Sequence, residues 1–112
     1  MTDCLFCKII EKEIPSKLVY EDDKVFAFDD INPQAPVHVL IIPKQHVADI
    51  AEVKDFDMVG YIYSVANKLA EQKGIAKSGY RVVLNMGPDA GMAVHHLHFH
   101  LLGGRALHWP PG

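Results

Sequence analysis

Residues 94–102 read VHHLHFHLL, so His96, His98 and His100 alternate with Leu97, Phe99 and Leu101. Successive side chains of an extended strand point to opposite faces, so this period of two puts three imidazoles on one face, about 6.5–7 Å apart, and three apolar side chains on the other. The apolar face needs a core. The histidine face carries rings that titrate near about 6.5 and can donate, accept or attack near neutral pH. One strand histidine alone reads as a half-buried polar residue, but three in register read as a reaction surface. Two strand histidines one residue apart can also share a metal ion, so the pattern alone leaves catalysis and metal binding both open.

The remaining segments supply a sheet for this strand. Residues 5–12 have the look of a short helix, which Pro15 stops because the residue before a proline is pushed out of helical geometry. Strands at 18–21 and 25–28 flank Asp22-Asp23-Lys24, a hairpin turn, and residues 37–42 form a third strand ended by Pro43. Across 55–72 the apolar residues Val59, Ile62, Ala66, Leu69 and Ala70 recur at helical spacing, with Gly74 as the stop. Residues 80–85 are a fourth strand, and the loop 86–92, with Gly87, Pro88, Asp89 and Gly91, delivers the chain into the histidine strand. The expectation is an α+β fold: a meandering five-stranded antiparallel sheet with one long and one short helix, both on the face opposite the histidines.

With 112 residues the chain is long enough for one domain, residues 1–112, and too short for two. No apolar run approaches about 18 residues and the N-terminus lacks a basic start or apolar signal core, so the expectation is a cytoplasmic protein with no membrane partner. Eleven Lys+Arg against 14 Asp+Glu leave a net charge of −3 with no basic cluster, which argues against a nucleic acid polymer as partner. A nucleotide in a pocket remains open. Cys4 and Cys7 form a C-x2-C that reads as a redox pair, two buried thiols or half of a zinc site. The thioredoxin-like option fits poorly, because no strand precedes it.

Several segments together resemble the histidine triad superfamily, and within it the Hint branch of purine nucleoside phosphoramidases. They are HLHFHLL at 96–102, FDDINPQAP at 28–36, His38, Ile42-Pro43-Lys44, Asn85, and the ending from Leu102-Gly103-Gly104-Arg105 through His108-Trp109-Pro110-Pro111-Gly112. The resemblance spans nearly the whole chain. It implies a homodimer whose two sheets join into ten continuous strands, with the tail 103–112 near the partner and a purine nucleoside monophosphate or phosphoramidate in each cleft. It assigns His98 as the nucleophile that forms a nucleotidyl-histidine intermediate, and puts His100 and His38 on phosphate oxygens. Asp30 would accept hydrogen bonds from ribose hydroxyls, Phe28 and Ile31 would line the base pocket, and Asn85, Gly91 and Ala93 would lie on the phosphate side.

Ala93 departs from the Hint pattern, where a hydroxyl residue commonly stands two positions after the loop glycine. Its absence removes a hydrogen bond to a charged group worth about 1.5–3 kcal/mol. A nucleotide-binding or partner-binding protein with little turnover is therefore the second expectation, and a hydrolase using the triad as catalytic metal ligands the third. The resemblance also implies a structural, non-catalytic zinc held by Cys4, Cys7, His46 and His96.

Overall fold

The computed structural model describes residues 3–112, and the part of the N-terminal reading at Met1 and Thr2 lies outside them. In chain order come helix α1 (Leu5–Ile10), strands β1 (Leu18–Glu21), β2 (Val25–Asp29) and β3 (Val37–Pro43), a 3-10 turn (Ile50–Glu52), helix α2 (Asp57–Gln72), strand β4 (Tyr80–Leu84), a second 3-10 turn (Pro88–Ala90) and strand β5 (Phe99–Gly103). The strands pair antiparallel in one five-stranded sheet, so the α+β class, five strands, one long helix and one short helix agree with expectation. The meander does not. Strand order is β1-β2-β3-β5-β4, because the crossover through α2 lands β4 one place out and β5 turns back into the gap. There Phe99 faces Ile41 of β3 on one side and Leu84 of β4 on the other.

Alternation divides the side chains between two cores. Ile62, Val65, Ala66, Leu69 and Ala70 of α2 pack on Val25, Ala27, Val39, Ile41, Leu97, Phe99 and Leu101. Leu69 is fully buried there, so truncating it to alanine should cost about 2–5 kcal/mol. On the opposite face α1 lays Phe6 and Ile9 over Phe26, Phe28, Leu40 and Ile42. This corrects the expectation that both helices share one face. Strands β2 and β3 are apolar on both sides, and such a sheet must be covered on both.

The histidine strand is also shorter than expected, starting at Phe99 rather than Val94. Beyond Phe99 the neighbouring strands run out. Strand β4 ends at Leu84, and β3 ends at Pro43, which has no N–H to offer a ladder. The chain peels away instead, with the Leu97 amide bonded to the Val47 carbonyl at 2.7 Å. Leu97 still joins the α2 core, so the two-faced pattern survives while the ladder does not. Among the described residues no helix is long and apolar enough to cross a membrane.

Candidate active site and metal centre

Because residues 94–98 leave the sheet, the three triad histidines part company. His98 and His100 turn into a cleft of about 930 Å³ between α1 and the sheet, whereas His96 turns towards Cys4 and Cys7. The expected open row of imidazoles is corrected accordingly. His96 and His98 are buried and His100 is half-buried, with α1 laid beside them.

Hydrogen bonds decide which nitrogen of each ring carries the proton. His98 Nδ1 lies 2.7 Å from the His96 carbonyl, which can only accept, so Nδ1 is protonated and the neutral ring carries its lone pair on Nε2. The Phe6 ring stands edge-on to the His98 ring, with centroids 5.1 Å apart, and holds its tilt. His38 Nδ1 accepts from the Gln34 amide at 3.0 Å, and its Nε2 lies 2.8 Å from His100 Nδ1. Asp30 Oδ2 is 3.4 Å from the same His38 Nε2. Burial pushes His38 down in pKa, with the Asp30 carboxylate opposing. His100 is pushed down to about 4, first by burial and then by its two imidazole neighbours. Both rings are therefore neutral at pH 7. His100 Nε2 is buried without a hydrogen-bond partner among the described residues.

All nine residues assigned to catalysis or nucleotide contact line this one cleft: His38, His98, His100, Asp30, Ile31, Phe28, Asn85, Gly91 and Ala93. Their settings differ. Asp30 Oδ1 already accepts from the Asn32 amide at 2.8 Å, so one carboxylate oxygen builds the turn. Ile31 is 100% exposed at the rim, whereas Phe28 is buried. Gly91 sits at φ +81°, the left-handed region that favours glycine, and spends its amide on Pro88. Ala93 brings no hydroxyl. Expectation put His38 directly on a phosphate oxygen, yet both its ring nitrogens have partners, and such a contact would require giving one up.

The second cluster converges as the sequence suggested. Cys4 caps α1, its Sγ accepting from the Cys7 amide at 3.3 Å. The His96 Nδ1 atom lies 3.3 Å from Cys4 Sγ, 3.6 Å from Cys7 Sγ and 3.2 Å from His46 Nδ1, and Cys7 Sγ is 3.4 Å from His46 Nδ1. Tetrahedral ligands at about 2.0–2.3 Å from one zinc ion would stand about 3.3–3.8 Å apart, so the donor set and spacing fit a metal. On its far side His96 Nε2 donates to the Pro43 carbonyl at 2.9 Å, freeing Nδ1 to face the thiols and fixing the ring, as a carbonyl behind a metal-bound histidine does. Burial, and then Cys4, push the Cys7 thiol up, so a metal would have to displace its proton.

Sequence reasoning missed Phe6, the Gln34 amide and the Pro43 carbonyl. Phe6 left a signal, since Phe6 and Ile9 are one helical turn apart. The two backbone groups left none, because every residue offers them.

Comparisons with known proteins show what the chain and its fold are similar to. The family model described as HIT domain matches residues 11–107. Over 114 residues the chain is 54% identical to a "14 kDa zinc-binding protein" of Zea mays, covering 96% of this chain and 87% of that one. It is 49% identical over 112 residues to "Adenylylsulfatase HINT1" of Arabidopsis thaliana, covering 96% of this chain and 76% of the relative. A solved HIT family hydrolase from Legionella pneumophila superposes with a TM-score of 0.95 at 51% identity, covering 98% of this chain and 100% of that one.

Proposed function

The chain belongs to the HIT domain family, and on that premise we propose that it is a nucleotide hydrolase that cleaves purine nucleoside phosphoramidates through a nucleotidyl intermediate on His98. One observation carries the reading. The Nδ1–H of His98 is committed to a carbonyl, so the neutral ring carries its lone pair on Nε2, in a cleft large enough for a nucleotide. That nitrogen attacks phosphorus, the P–N bond breaks, and the amine leaves with a proton from solvent, since Ala93 supplies none. Water then attacks phosphorus, breaks the bond to Nε2, and releases the nucleoside monophosphate. His100 Nε2–H hydrogen-bonds an anionic phosphoryl oxygen as charge builds. Asp30 accepts from the ribose, Phe28 and Ile31 flank the base, and Asn85 and Gly91 border the phosphate. The name of the Arabidopsis relative, an adenylylsulfatase, supports the coarser part of this reading, hydrolysis of an adenylyl compound.

Cys4, Cys7, His46 and His96 would hold zinc, which the Zea mays relative's name supports. Bound by these four residues, the ion would supply a crosslink between α1 and the β3–α2 and β4–β5 connections. We further propose a homodimer in the cytoplasm, formed across the outer edge of β4. The other edge strand, β1, has four residues and an irregular register, which blunts it for pairing. The single HIT domain then fills residues 1–112, with the tail 103–112 near the partner, its Trp109 81% exposed.

The test is incubation with adenosine 5'-phosphoramidate, with rapid quenching and intact-mass analysis. Amine release, with a nucleotidyl adduct mapped to His98, is the expected result. Tight binding without release would hand the function to the second reading, a nucleotide-binding or partner-binding protein, which the alanine at position 93 favours.

A further inference from the structure

The proposed reaction needs His100 to show a ring N–H to the cleft, and that proton is placed by a relay starting outside it. A backbone amide can only donate, so Gln34 N–H fixes His38 Nδ1 as an acceptor. Neutral His38 then carries its proton on Nε2, where His100 Nδ1 at 2.8 Å accepts the hydrogen bond ahead of the Asp30 carboxylate at 3.4 Å. His100 in turn holds its own proton on Nε2, the buried atom without a partner among the described residues. If the first link reversed, His38 would protonate on Nδ1 and accept through Nε2. His100 Nε2 would then turn a lone pair towards an anionic oxygen.

The first link lies in residues 31–34, an exposed stretch outside helix and strand. Asp30 Oδ1 and the Gln34 side chain brace it locally at Asn32, and Arg105, beyond β5, ties its Gln34 end to the tail. Arg105 Nε and Nη2 both donate to the Gln34 carbonyl, at 3.2 and 2.9 Å, while Nη1 donates to the Ala106 carbonyl at 2.8 Å. A second observation shows that tail and loop are built to touch. Gly104 has φ +92°, and a Cβ added there would come within 2.9 Å of Pro36 Cβ.

We propose that Arg105 is a positioning residue for His100: by pinning the Gln34 carbonyl it keeps the Gln34 amide on His38 and so the His100 proton on Nε2. The effect on rate rests on the function proposed above; the effect on the ring proton does not. Long-range proton–nitrogen NMR of the unliganded protein should show His100 of the wild type protonated on Nε2 only. Arg105→Ala should turn this into a mixture of the two forms. The same variant should lower kcat by about three- to tenfold, the value of one hydrogen bond, with KM within about twofold. Arg105→Lys, with one donor direction instead of a fork, should fall between the two. It serves as the reporter if the alanine variant does not fold. An unchanged His100 signature in whichever variant folds, or a loss confined to thermal stability, would overturn the proposal. A wild type without turnover would sink the proposed reaction and leave the NMR test standing.

Discussion

His96 and His98 are two residues apart, yet they belong to regions of opposite character. Around His96 four donor atoms crowd within 4.8 Å of one another, and the ring's far nitrogen is bonded to Pro43. Around His98 the far nitrogen is bonded to the His96 carbonyl, and the near one meets an open cleft. Both rings are held by a backbone carbonyl in the same manner. The difference is what the free lone pair faces: thiols and another imidazole in one case, space for a ligand in the other. A histidine's chemistry is thus set by its surroundings, while the carbonyl behind it only aims it.

The sharpest way to break this contrast is to remove the lone pair that faces the cleft. His98→Ala should lower turnover by about 10⁴-fold or more and abolish the nucleotidyl adduct, while circular dichroism and bound zinc stay as in the wild type. Substantial residual turnover would mean that His98 is not the nucleophile. Next in size is Ala93→Ser, which places a hydroxyl on the cleft side. It should raise turnover by about tenfold, the lower end of what one hydrogen bond to a charged group supplies, and kcat for the phosphoramidate is the measurement. An unchanged kcat would mean that position 93 does not meet the leaving group or phosphate.

The metal side separates from the cleft by the opposite outcome. Cys4→Ser with Cys7→Ser should abolish zinc in elemental analysis and lower Tm by about 10 °C, yet the folded fraction should still form the adduct. Chelation that erased turnover while the fold persisted would move the metal into the chemistry. Phe6 tests how far the regions are separate, because its ring stands edge-on to both His96 and His98, at 5.9 and 5.1 Å. Phe6→Ala should cost about 3–5 kcal/mol in urea unfolding and weaken zinc retention and kcat together.

The smallest effect is on pH dependence. His100 titrates near 4 when folded against 6.5 for its free side chain, so the unfolded chain binds the extra proton between those values. Stability from this group is complete above about 6.5 and is lost as pH falls towards about 4, the direction for a depressed histidine. Urea midpoints measured over that range should rise with pH in the wild type, and less steeply in His100→Asn.

Much of the architecture was legible because it rests on periodicity. Alternation from Leu97 to Leu101 predicted two faces, and the helical spacing of Ile62, Ala66, Leu69 and Ala70 predicted the long helix that covers one of them. The second face could have been read from Phe26, Phe28, Leu40 and Ile42, apolar residues on the side that expectation left bare. The strand order was not legible, because a crossover helix fixes which edge it reaches only through packing.

By itself the sequence determined which residues can do chemistry: where the imidazoles and thiols stand along the chain, and which alternate with apolar partners. Tertiary structure alone decided how they are divided. A proline ends β3, the ladder stops at Phe99, and the freed segment sends His96 to the thiols and His98 to the cleft. It also decided which nitrogen of each ring bears a proton, because that depends on carbonyls and amides contributed by distant segments. The physical reason is that side-chain identity and spacing are local properties, whereas hydrogen-bond complementarity around a buried ring belongs to the packed fold.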